Sequence, residues 1–132
     1  MQMFPDVKLL KILHYNLKPL GDPDYQERVW IRREGKGVHD YDDATMYFME
    51  SCEEMFAHPD RFEGVNATIQ KILQELYDKV CWFEEEIANH VPEGQDHKII
   101  RTPEWREIQI LATHAYEKIL QDLKERNFST DL

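Results

Sequence analysis

Between Asp40 and Asp60 the chain has no lysine and no arginine, although it carries 16 basic residues over its 132 positions. The same stretch holds seven carboxylates, Asp40, Asp42, Asp43, Glu50, Glu53, Glu54 and Asp60. A run of one charge sign on a folded surface makes a local negative field, which attracts cations and basic partners and repels nucleic acid and anionic membrane. Cysteine is also scarce. Cys52 and Cys81 are too few and too far apart for a disulfide framework, so both are expected as free thiols in a reducing cytosol. No window approaches the roughly 18 consecutive apolar residues that a membrane span requires. The opening Met-Gln-Met-Phe-Pro-Asp lacks the cationic start and apolar run of a secretory signal. These absences together give the expectation of a cytoplasmic protein. Neither a P-loop, a Gly-x-Gly-x-x-Gly turn nor a Gly-x-Ser-x-Gly elbow occurs, which leaves no sequence signature of a phosphate cradle or an activated serine.

What is present supports folding without help from metal or disulfide. A chain of this length buries roughly two thirds of its unfolded surface as one domain. Its hydrophobic content of 42% and aromatic content of 11% lie far from the disordered regime, even at a net charge of −10. There is no internal repeat, low-complexity tract or Pro/Ser-rich linker to divide residues 1–132 into two domains.

The periodicity is helical. Apolar residues at 69, 72, 73, 76, 80, 83 and 87 fall on one stripe at about 100° per residue, with Asn66 as N-cap and Pro92 as stop, which predicts a helix over 66–90. Thr102 and Pro103 open a second helix over 103–126, with Trp105, Ile108, Ala112, Ala115, Tyr116, Ile119 and Leu123 on one face. A third, over 42–57, starts at the Asp40–Asp43 cluster, whose carboxylates suit the positive end of the helix dipole. Its expected core face is Ala44, Tyr47, Phe48, Ser51, Cys52 and Met55, and Pro59 ends it. Val7, Leu10, Leu13 and Leu17, widened by Leu9 and Ile12, predict a helix over 6–18, followed by a turn at Pro19-Leu20-Gly21. Residues 22–41 read less cleanly. Asp22-Pro23 resembles a helix start, but Val29-Trp30-Ile31 lies on no helical face, so a helix over 23–33 competes with a short hairpin over 28–41 turning at Glu34-Gly35-Lys36-Gly37. The segments 58–65 and 91–102 read as short connections, which favour antiparallel neighbours. The expected architecture is a single-domain, all-α, antiparallel bundle of four to five helices.

Of the candidate sites, the acidic face of helix 42–57 is the foremost. Asp43, Glu50, Glu53 and Glu54 project opposite its apolar stripe, and Trp82 lies at the same angle as Glu75 and Asp78, away from the stripe of its own helix. A solvated helix face accounts for the charge alone. A tryptophan beside carboxylates adds the signature of a docking surface, in which charge steers association and an aromatic side chain anchors it.

Two carboxylate pairs give a second reading. Glu50-x-x-Glu53 and Glu75-x-x-Asp78 resemble the paired acidic motifs of MazG-like all-helical nucleotide pyrophosphohydrolases, and the resemblance implies Mg²⁺ held between two antiparallel helices against a triphosphate. Carboxylates on adjacent helical turns share a face and suit that hard cation. Both pairs here face away from their helices' apolar stripes, whereas a site inside a bundle needs them to face inward. The acidic pair ahead of the family's first motif is missing.

Histidine pairs with carboxylates at Glu54/His58, Glu86/His90 and Glu107/His114, but never at the i,i+3 spacing of di-iron bundles. His58 and His90 fall at helix C-termini, where imidazole serves the terminal carbonyls. Arg28, Arg32, Arg33 and Lys36 form a small basic group, interleaved with Glu27 and Glu34 in a protein of pI about 5.0, which suits an intramolecular or inter-subunit partner better than nucleic acid.

The composite expectation is a small acidic helical protein that docks a basic macromolecular partner through Asp40, Asp42, Asp43, Glu50, Glu53, Glu54 and Trp82. It would mask that partner in the manner of immunity proteins, antitoxins and nucleic-acid mimics. No cofactor, no catalytic residue, no nucleic acid and no membrane enter this reading, and self-association is compatible with it. The alternative is a Mg²⁺-dependent pyrophosphohydrolase using Glu50, Glu53, Glu75 and Asp78.

Overall fold

Helix α1 (Pro5–Gly21) begins on a proline, whose missing N–H costs nothing in a first turn, and buries Val7, Leu9, Leu10, Leu13, Leu17 and Leu20 along one side. The computed structural model describes residues 5–35 and 40–131. The expected turn at Pro19-Leu20-Gly21 is instead the last turn of α1. The carbonyls that this turn would leave unsatisfied are taken by a side chain from the next element, since Gln26 Nε2 donates to both Pro19 O and Leu20 O at 2.9 Å. Gly21 is required by packing, because a Cβ there would meet Thr113 Oγ1 at 2.6 Å.

Asp22 caps a single turn, α2 (Pro23–Tyr25), by accepting from Tyr25 N at 3.1 Å. The chain runs on into a π-helical segment over Gln26–Ile31, where Arg32 N donates five residues back to Glu27 O at 3.0 Å. Helix therefore prevails over hairpin for 23–31, and the irregularity at Val29-Trp30-Ile31 has a physical cause. The wider turn carries Gln26, Val29 and Trp30 inward together, off any 3.6-residue stripe. Lys36 and Gly37, the proposed hairpin turn, lie outside the described residues.

Helix α3 (Tyr41–Ala57) is capped by Asp40, whose side chain accepts from Asp43 N at 2.8 Å. Its buried side is Tyr41, Ala44, Thr45, Phe48, Cys52 and Met55. Two assignments to this face need correction: Tyr47 is 45% exposed and Ser51 only half-buried. Both sit at the edge facing α1, where Asn16 Nδ2 donates to Tyr47 O at 3.3 Å and to Ser51 Oγ at 3.0 Å.

Helix α4 (Ala67–Glu86), capped by Asn66, buries Ile69, Ile72, Leu73, Leu76, Val80 and Phe83 as its periodicity requires. It stops four residues short of the expected end and tightens into a 3₁₀ turn at Ala88–His90. Inside the supposed connection 91–102 lies a further short helix, α5 (Asp96–Ile100), which buries Ile99 and Ile100. Helix α6 (Pro103–Glu125) follows its Thr102 cap and buries Trp105, Ile108, Ala112, Ala115, Ile119 and Leu123, leaving Tyr116 half-buried.

The elements form an all-helical bundle, and among the described residues there is no strand. Contacts along α1 and α6 run in opposite directions. Asp6 meets Arg126, His14 stacks on Tyr116, and Gly21 meets Thr113. Helices α3 and α4 are likewise antiparallel, with Tyr41 bonded to Glu84 near one end and Phe56 edge-on to Tyr77 toward the other. Four elements contribute to one aromatic cluster, in which Trp30, Tyr41, Phe83 and Trp105 have ring centroids 5.3 to 6.5 Å apart. Beside it Gln26, fully buried, accepts from Trp105 Nε1 at 2.8 Å and from Gln109 Nε2 at 2.7 Å. No helix among the described residues is long and apolar enough to cross a membrane.

Candidate docking surface

The outer face of α3 is built by its own amphipathicity. With Ala44, Phe48, Cys52 and Met55 turned inward, Asp42, Met46, Glu50, Glu53 and Glu54 are turned out, and all five are exposed. The helix contains no basic residue. Glu54 is paired with Arg61 at 3.3 Å, and His58 Nε2 lies 3.9 Å from it. No ion pair within 4.0 Å involves Glu50 or Glu53 among the described residues.

The seven acids of the 40–60 run do not all serve one surface. Asp40 is occupied as the N-cap, and Asp60 lies in the turn after the helix. Asp42 is held above the usual carboxylate range, first by burial and then by Asp40, Glu84, Asp96 and Asp43 around it. Helix α4 and α5 supply two of those neighbours, and the sequence did not reveal their convergence. Glu84 accepts from the Tyr41 hydroxyl, and Asp96 Oδ2 accepts from Tyr41 N at 3.0 Å. Burial and the Glu84 carboxylate push the Tyr41 phenol well above its usual range, so it stays a proton donor.

On the α4 side the surface continues through Asp78, Trp82 and Glu85, all exposed. Trp82 is 52% exposed, as its place off the α4 stripe requires. Cys81 marks the seam between the two helices: burial raises its thiol, and Glu53 from α3 acts on it together with Asp78 and Glu85 from α4. Cys52, deeper in the same seam, is raised chiefly by burial. Protonated thiols are poor nucleophiles, so neither cysteine is primed for covalent chemistry. Met46 and Tyr47, each 45% exposed, extend the apolar content toward the α1 edge.

Of the alternative metal set, Glu50, Glu53, Glu75 and Asp78 are all exposed and Asp78 accepts from Gln74 Nε2 at 3.0 Å; among the described residues no three or more His, Cys, Asp or Glu are placed so that they could hold one metal ion. Of the histidine pairs, His58 Nε2 lies 3.9 Å from Glu54, whereas Glu107 is bonded to Lys79 at 3.6 Å. Of the basic group, Arg32 pairs with Glu34 at 3.7 Å and Arg28 lies over the Tyr25 ring. Lys36 lies outside the described residues.

No family model, curated protein or solved structure matches this chain.

Proposed function

We propose that the chain is an acidic docking protein whose α3 face, with the adjoining Asp78, Trp82 and Glu85 of α4, engages and masks a basic surface on a protein partner. The observation that supports this reading is the pairing of unsatisfied charge with an exposed ring. Glu50 and Glu53 are exposed with no ion pair within 4.0 Å among the described residues, and a half-exposed Trp82 follows the one cysteine on which both helices' carboxylates act. Exposed carboxylates steer association over about one Debye length, roughly 8 Å at physiological ionic strength, and a desolvated aromatic anchor slows departure.

The reading is tested by capture from a host lysate on immobilised protein, followed by kinetics with the captured partner. The expected partner is basic, its association rate falls steeply with added salt, and Glu50→Gln, Glu53→Gln and Glu54→Gln together slow association without unfolding the helix. Trp82→Ala is expected to act on dissociation. A partner whose capture is indifferent to salt and to the triple variant overturns the proposal.

A further inference from the structure

A groove of about 450 Å³ lies at the far end of the α3–α4 pair, and in a chain of net charge −10 its one charged lining residue is a lysine. Its apolar wall is Met55, Phe56, Pro59 and Phe62, where Met55 and Phe62 are each 4% exposed and form the floor. Phe56 is fixed by its edge-on contact with Tyr77, at 5.2 Å and 89°. The polar rim is Gln70, Lys71 and Gln74. Gln70 Nε2 is already committed to Val65 O at 2.8 Å, and Gln74 Nε2 to Asp78. Lys71 is the only charged residue in the lining, and it has no ion pair within 4.0 Å among the described residues.

Two smaller depressions make the contrast. The one of about 280 Å³ contains Lys18 with Asp22 and Glu117, and the one of about 180 Å³ contains Lys118 with Asp122 and Glu125. Each is a lysine outnumbered by carboxylates, as expected in a chain of net charge −10. The larger groove has its lysine and no carboxylate. Arg61, the nearest arginine in sequence to the apolar wall, lies over the Phe62 ring at 5.4 Å but is paired with Glu54. Lys71 is thereby left as the groove's available cation.

We infer that this groove binds a small monocarboxylic acid bearing one aromatic ring, with the ring on Met55, Phe56 and Phe62 and the carboxylate on Lys71 Nζ. The volume falls within the usual range of small-molecule sites, and a mostly apolar lining with one convergent charge is their usual chemistry. Thioether and aromatic side chains favour an aromatic guest through sulfur–ring and edge-to-face contacts.

The probe is 3-phenylpropanoate, with 3-phenylpropan-1-ol and 3-phenylpropylamine as matched neutral and cationic controls. Binding is followed on the Met55 methyl and the Gln70, Lys71 and Gln74 amides by NMR, with the methyls of Met46 and Met49 as internal references. The acid is expected to shift the groove signals saturably and to bind about tenfold more tightly than the alcohol, the value of one charge-assisted contact. The amine is expected to bind most weakly. Lys71→Met, at an exposed position that the fold tolerates, is expected to make acid and alcohol equal, and Lys71→Arg to restore the preference. The inference is overturned by equal binding of acid and alcohol to the native protein, by a preference that survives Lys71→Met, or by no saturable shift of Met55 at millimolar acid.

Discussion

Gln26 and Glu50 are both polar side chains on helices, and they stand at opposite limits of satisfaction. Gln26 is fully buried with both amide hydrogens donated and its oxygen accepting twice, tying the end of α1 and the π-helical segment to α6. Glu50 is exposed on a helix without a basic residue and has no charged partner among the described residues. A buried polar group that makes every bond it can is part of the fold, since leaving any of them unmade in a low-dielectric interior is costly. An exposed charge with no partner contributes little to folding, and its arrangement is free to serve something outside the molecule. The difference divides the polar residues of this protein into those that specify structure and those available for recognition.

The sharpest way to break that division is Gln26→Leu. The substitution keeps approximate volume but strands Trp105 Nε1, Gln109 Nε2 and the carbonyls of Pro19 and Leu20, so it is expected to cost about 4 kcal/mol or more in a urea titration. Fraying of the last turn of α1 should accompany it, read as lost amide protection at Leu20 and Gly21. A cost under about 1 kcal/mol would mean that water replaces the side chain and that the hub does not organise the corner.

Next in size is Leu76→Ala, at a position of zero exposure, which is expected to cost about 2 to 5 kcal/mol through the cavity it leaves. Glu75→Ala, one residue away on the outer face, is expected to change stability by less than about 0.5 kcal/mol. Equal effects would contradict the orientation of α4.

That orientation was legible in the sequence because α4 and α6 carry many apolar residues at one period, and the average over five or more turns outweighs any single misfit. Segment 22–33 was not legible in the same way. A π turn shifts the inward positions to Gln26, Val29 and Trp30, and no template of 3.6 or 2 residues places a glutamine in the core. Helix α5 is too short to show a period at all, and Tyr47 sits at the boundary of the α3 stripe, where one step on the helical wheel decides between core and solvent. The outward direction of Glu50, Glu53, Glu54 and Trp82 could be read, since it is the complement of two well-defined stripes. The gathering of Glu84 and Asp96 at Tyr41 could not, because it depends on how α3, α4 and α5 meet.

On the recognition side the expected stability effects are small by design of the test. Glu50→Gln, Glu53→Gln and Trp82→Ala should each shift stability by less than about 0.5 kcal/mol. Glu54→Gln loses its exposed contacts to Arg61 and His58, a change of about 0 to 1 kcal/mol. A larger loss at Trp82 in the isolated protein would move that ring from recognition to packing.

The smallest expected effect lies between the two limits, at His14. Its ring stacks on Tyr116 at 4.3 Å, its Nε2 is buried with no hydrogen-bond partner among the described residues, and burial followed by the nearby Lys18 charge lowers its pKa from the usual 6.5. The folded protein therefore binds this proton more weakly than the unfolded chain. Its contribution is whole above about pH 6.5 and is lost as the pH falls from there toward the lower folded value. His14→Phe keeps the stack, removes the orphaned nitrogen and removes the titration. Between pH 7.5 and pH 5 the native protein should lose more of its urea midpoint than the variant does, and the difference should stop growing below the folded pKa. Every other ionisable residue is common to both proteins and cancels in the comparison. Parallel curves for the two proteins would show that the imidazole reaches water and is satisfied there, placing His14 with the solvated groups and not with Gln26.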